Sequence, residues 1–168
     1  MNRRGFTLIE LLIVIVVAGI LLSIAVLNFA EYLRKGAVER QTKEMYSDLM
    51  AARTAAVTQR SPKRVIITPT VFRSISSSIG SSIGLSTTKV LSHPVTWSGK
   101  SASDTEVEID FDERGTFNID AGNGNTTICI EPSVQSAQYD SIVVYSTRIH
   151  LGKVAFGGAC NSDNVTVK

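Results

Sequence analysis

FTLIELLIVIVVAGILLSIAVLNFA, residues Phe6–Ala30, is the stretch that decides the fold, and Glu10 is its only formally charged side chain. As a helix it would measure about 37 Å at roughly 1.5 Å per residue, against a hydrocarbon core of about 30 Å. It therefore reads as a transmembrane and assembly helix behind a basic leader, Met1–Gly5. No small-x-small cleavage site follows it before the charged residues begin, which separates it from an ordinary secretory signal. Arg3 and Arg4 precede the span and orient it with the C-terminal bulk outside the cytoplasm. The expected topology is a single pass of the bacterial inner membrane with the C-terminal domain in the periplasm. An ionised Glu10 beside hydrocarbon is costly and implies a partner. Cleavage after Gly5 would give Phe6 a new α-amine, which could pair with Glu10 of a neighbouring chain. The alternative is an uncleaved anchor with Glu10 at the headgroup level.

Arg4-Gly5-Phe6-Thr7-Leu8-Ile9-Glu10-Leu11 resembles the leader and cleavage motif of type IV pilins and type II secretion pseudopilins. The resemblance implies cleavage between Gly5 and Phe6 by a prepilin peptidase, N-methylation of Phe6, and packing of the stems into a helical filament with Glu10 as an assembly residue. Many major pilins carry a proline in the second half of this span. Here there is none, and Gly19 is the obvious weak point.

Glu31–Ser61 continues the helix as an amphipathic half. Leu33, Ala37, Val38, Met45, Leu49, Ala52 and Ala56 form an apolar or small series beneath charged residues. Glu31–Lys35 and Glu39–Lys43 have the favourable i,i+4 order. Ser61-Pro62 marks the stop. The stretch Asp48–Val57, with Lys63–Thr68 after it, resembles the GspH/FimT branch of pseudopilins at Leu49, Ala52, Arg53 and Ala56. Independently of that likeness, small residues let a helix lie close to a sheet, and Arg53 can snorkel to the sheet's edge. These four are the expected helix–sheet packing positions.

Residues 62–168 read as an antiparallel β domain. Lys63–Ile67 is a β-branched strand and Val71–Ile75 its continuation or hairpin partner. A Ser-rich segment, about 74–89, reads as a loop or an irregular strand. Val90–Trp97 contains a further strand. Val107, Ile109 and Phe111 alternate with Glu106, Glu108 and Asp110, giving a strand with a wet acidic face. Asp112–Gly115 is a turn into Thr116–Ile119, and Ala121–Asn125 carries a hairpin signal into Thr126–Glu131. Ile142–Tyr145 and Ile149–Val154 supply two more strands. Phe111–Gly115 and the last strand pair again fit the pseudopilin branch. The Gly-Arg usual between those strands is replaced by Ser146-Thr147-Arg148. The fold class is thus α+β and pilin-like: a long N-terminal helix, membrane stem plus amphipathic half, packed on an antiparallel sheet.

The 168 residues hold 17 basic and 15 acidic side chains. Without Arg3 and Arg4 the formal balance is zero, so capture of nucleic acid by a basic domain is not the default. A patch of Arg148, Lys153 and Lys168 is the candidate for direct DNA binding in the alternative reading. Cys129 and Cys160 fall in the part expected to be exported, where a disulfide persists. Two free thiols or an intermolecular link are the alternatives. Two histidines without close Cys-x-x-Cys or His-x-x-His spacing argue against a metal site. The clustered acids read as a solvated strand face, and no Gly-x-Ser-x-Gly elbow or phosphate loop is present. The chain reads as a non-enzyme without cofactor: a minor pseudopilin of a type II secretion pseudopilus that drives protein export across the outer membrane. The alternative is a minor type IV pilin for pilus assembly or DNA uptake. Expected partners are the prepilin peptidase, other pilins or pseudopilins, an inner-membrane assembly platform, membrane lipid and a secreted substrate.

Overall fold

The computed structural model describes residues 6–76, 85–99, 103–119 and 125–168, with the side chains of 24–28, 76, 85, 86 and 119 outside the description. The Met1–Gly5 leader with its Gly5, the heart of the Ser-rich segment with Ile79 and Ile83, and Gly122–Gly124 lie outside the described residues.

One helix, α1 (Leu8–Gln59), opens the chain. It contributes to two compact units, one ending at Lys35 and one spanning Gly36–Lys168. In the first unit, α1 from Leu8 to Leu22 exposes large apolar side chains, with Glu10 as its only charged residue. Among the described residues, no helix is long and apolar enough to cross a membrane. The expected membrane stem at 6–30 is therefore corrected to an exposed apolar helical segment. The expectations built on it, a transmembrane helix and a single-pass inner-membrane topology, are corrected with it.

In the second unit the rest of α1 is amphipathic. Val38, Gln41, Thr42, Met45, Leu49, Ala52 and Ala56 are its buried residues. Their spacing of three and four places them along one stripe. Gln41 and Thr42 belong to that stripe although polar, because each is satisfied. Gln41 Nε2 donates to the His93 carbonyl at 2.7 Å and its Oε1 accepts from the His93 N–H at 2.8 Å. The Thr42 hydroxyl donates to the Val38 carbonyl at 2.9 Å.

Among the described residues ten strands follow in two antiparallel five-stranded sheets, where the sequence suggests one. The strands are β1 (Lys63–Ile67), β2 (Val71–Ser76), β3 (Leu85–Val90), β4 (Val95–Trp97), β5 (Val107–Phe111), β6 (Phe117–Ile119), β7 (Asn125–Ile130), β8 (Ser141–Tyr145), β9 (Ile149–Val154) and β10 (Val165–Val167). The first sheet has the order β3-β2-β1-β5-β6 and the second β10-β9-β8-β7-β4. The Ser-rich segment is thus bracketed by paired strands, with Val71 opposite Val90 and Ser76 opposite Leu85. The expected hairpin at 121–125 is corrected, because β6 pairs with β5 and β7 with β8 and β4, in different sheets.

Val65, Ile67, Phe72, Ile109 and Phe111 from the first sheet share one core with Trp97, Ile128, Ile142, Val144 and the α1 stripe. Alternation explains this: β1 and β5 bury every second residue. Strand β8 is buried on both faces from Ser141 to Val144. Its Val143 belongs to a second, smaller core with Cys129, Val154 and Val165. The acidic face of β5 is not merely solvated, since Arg64 on β1 lies between Glu108 (2.8 Å) and Asp110 (2.7 Å).

Candidate assembly and processing site

Thr7 sets the start of α1. Its Oγ1 accepts from the Glu10 N–H at 3.3 Å, and its carbonyl from the Leu11 N–H at 3.3 Å. A hydroxyl here satisfies one of the orphan N–H groups of the first turn. Glu10 lies in that turn, where the positive end of the helix dipole favours a carboxylate. Phe6 precedes it at 85% exposure, and from Leu8 to Leu22 no large aliphatic side chain is less than 49% exposed. A helix apolar on every face is normally a buried one. An exposed apolar surface of this extent marks an interaction site. Phe6 and Glu10 thus stand at the start of a helix whose large apolar side chains from Leu8 to Leu22 are exposed.

The four expected packing residues form a second feature, which fixes α1 to its domain. Leu49, Ala52 and Ala56 are buried. Arg53 does more than snorkel. Its Nε donates to the Gly115 carbonyl at 2.9 Å and its Nη2 to the Thr147 carbonyl at 3.0 Å. Its guanidinium lies 5.3 Å from the centre of the Phe117 ring, which meets Phe111 edge-on at 4.8 Å. One side chain thereby ties the helix to the β5–β6 turn and the β8–β9 turn, one from each sheet. The Phe117 N–H, donating to the Ser146 carbonyl at 3.0 Å, joins the same two turns directly.

Gly115 is required there. Its φ is +76°, and an added Cβ would lie 2.9 Å from a Val57 methyl and 3.3 Å from Arg53 Nε. Asp112 shapes the turn by accepting from the N–H groups of Thr116 (2.7 Å) and Arg114 (2.9 Å). Desolvation works to raise the Asp112 pKa, but the Thr116 and Arg114 hydrogen bonds and the Arg114 charge outweigh it, so the net shift is downward. In the other turn Thr147 does not have a left-handed backbone, since among the described non-glycine residues only Arg60 has a positive φ.

Of the three residues suggested for nucleic acid, one is engaged with the fold and two are exposed. Lys153 is engaged internally: its Nζ donates to Asp140 Oδ2 at 2.7 Å and to the Val134 carbonyl at 2.6 Å. Arg148 and Lys168 are exposed. Among the described residues, no group of three or more His, Cys, Asp or Glu side chains could hold a metal ion. Cys129 and Cys160 form a disulfide.

Several of these anchors were hidden in the sequence. Gln41 and Thr42 sit at stripe positions but are polar. Asp140 and Lys153 are separated by a strand. Gly152, inside a strand, is the one local sign of a close approach there.

Residues 1–26 match the family model described as the prokaryotic N-terminal methylation motif. No curated protein and no solved structure matches the chain. The motif implies processing by a prepilin-peptidase-like enzyme. The chain therefore carries the N-terminal methylation motif characteristic of type IV pilins and pseudopilins broadly.

Proposed function

We propose that the protein is a structural minor pseudopilin of the GspH/FimT kind, built into a type II secretion pseudopilus that works in protein export. The observation that supports this best is the apolar segment Leu8–Leu22, exposed on every side with a single acid at its start. Cleavage after Gly5 and methylation of Phe6 would leave a cationic amine four residues from Glu10. Glu10 would compensate the amine of an adjacent subunit, and apolar segments of neighbouring subunits would cover one another. In such an assembly the subunit acts mechanically, without chemistry of its own. A minor type IV pilin is the second reading, because the same segment serves either machine. Direct DNA binding is disfavoured by the zero formal balance without the leader and by the internal engagement of Lys153.

Glu10→Ala tests the reading. The variant should fold and be processed, yet be depleted from the assembled fraction and fail to crosslink to its neighbours. Normal incorporation would reject Glu10 as an assembly residue.

A further inference from the structure

The second sheet has an outer face of its own, and the last residues of the chain cover it. Cys129, Val143, Val154 and Val165 are buried there, with Tyr145 and Cys160 against them. The covering strap leaves β9 at Ala155, turns through Gly157 and Gly158, is bonded to β7 at Cys160, and returns as β10. In β10, Val165 pairs with Val154, Thr166 with Lys153 and Val167 with Gly152. Flanking hydrogen bonds run from the Ala155 N–H to the Asn164 carbonyl (2.8 Å) and from the Lys168 N–H to the Leu151 carbonyl (3.0 Å). A Val165 methyl fills the space that a Cβ on Gly152 would need, so the seat matches this strand in shape.

The strap's own hold is slight. β10 is three residues long and only Val165 is buried. A strand this short, with one buried side chain, belongs to the low-stability end of a fold. The covalent bond from Cys160 to Cys129 keeps it in place.

We propose that the edge of β9 is a strand-acceptor site, held shut by the Cys129–Cys160 bridge, and that on reduction its occupant becomes the β10 strand of a second copy of this chain. The occupant follows from the seat: the surface around Gly152 already accommodates Val165, and a second copy brings the identical strand. Exchange of an identical element is a direct route to association. The chemistry balances. A dithiol gives up two protons and two electrons to become a disulfide, and the Cys129–Cys160 S–S bond becomes two thiols. On reoxidation, two molecules of a small disulfide accept the hydrogens of four thiols from two copies, and two Cys129–Cys160 bonds form across the pair.

The test uses the intact chain in equal amounts of ordinary and heavy-nitrogen protein, reduced with a dithiol and reoxidised with a small-molecule disulfide. Mass spectrometry of the non-reduced digest should find about half of the Cys129–Cys160 peptide pairs as light–heavy hybrids. Only light–light and heavy–heavy pairs would overturn strand exchange. Val165→Asp, which leaves both thiols in place, should lower the hybrid fraction severalfold. An unchanged fraction would mean that the thiols meet without the strand seat, and would overturn the proposal as well. In reduced protein dilute enough to stay monomeric, amide exchange in 161–168 should rise at least about tenfold while β1 and β5 stay protected. An unchanged rate there would show that the bridge does not hold the strap.

Discussion

Replacing Arg53 by Met removes the guanidinium but keeps an unbranched apolar side chain against the sheet. Two hydrogen bonds from a cation to the Gly115 and Thr147 carbonyls are lost, at 2.9 and 3.0 Å in the native protein. Hydrogen bonds to a charged group contribute roughly 1.5–3 kcal/mol each. The contact with Phe117 adds about 0.5–1 kcal/mol. Arg53 is only partly buried, and water can replace part of what is lost at both carbonyls. The net loss should therefore be about 2–3 kcal/mol rather than the sum. With a urea slope of roughly 2 kcal/mol/M, the midpoint should fall by about 1–1.5 M. Trp97 is the chain's single tryptophan and is 4% exposed, so its fluorescence reports unfolding of this core. Arg53→Lys should recover less than half of the loss, because an ammonium lacks the fork that reaches two carbonyls at once. A midpoint within about 0.2 M of the native value for Arg53→Met would refute the idea that this side chain ties the two turns to the helix.

Gly152→Ala should cost about 1–3 kcal/mol through overpacking against Val165, read as a lower thermal midpoint. Asp140→Ala should cost roughly 3 kcal/mol, near the low end for a broken buried pair because Lys153 keeps 20% of its side chain exposed. Asp140→Asn should cost less, since it can still accept from the Val154 N–H; equal losses would show that this hydrogen bond contributes nothing beyond the charge pair. The Asp112 pKa is lowered in the folded state, so its contribution is present above the unfolded value near 3.9 and is lost as pH falls through the lower folded value. The stability gap between the native chain and Asp112→Asn should accordingly be constant near neutral pH and close below about pH 4. A gap that stayed open under acid would contradict that account.

Much of the domain's architecture was legible because its signals are local. β1 and β9 occupy the spans that their β-branched patterns mark, and Val107, Ile109 and Phe111 turn inward as their alternation predicts. The α1 stripe from Val38 to Ala56 follows from spacing, apart from Gln41 and Thr42, whose partners His93 and Tyr139 are distant in sequence. Sheet membership was not legible. The 121–125 turn residues suggest a hairpin, but β6 ends in one sheet and β7 begins the other, a choice made by which partners β5 and β8 offer. β10 escaped notice because three residues give too short a pattern, although Gly152 signals that something lies close to β9. For Arg53, the sequence suggests an edge residue; its two acceptors are backbone carbonyls, which leave no mark in residue type.

The two parts of α1 obey different rules, and the difference bears on what kind of assembly the first part can enter. From Val38 to Ala56 one stripe is buried, and residues of both sheets share its core. From Leu8 to Leu22 there is no stripe: consecutive residues such as Ile13, Val14, Ile15 and Val16 are all exposed and all apolar. Four successive positions advance around a helix by about 100° each and so reach every side of it. One partner helix covers a seam of little more than 100°, leaving most of that surface in water. A closed dimer through this segment would therefore leave the problem unsolved. In the proposed assembly several apolar neighbours would surround each helix, as in the interior of a many-subunit bundle. If the intact chain formed only a dimer, with Ile13 through Val16 equally accessible to a labelling reagent before and after association, the segment could not serve as the core of such a bundle.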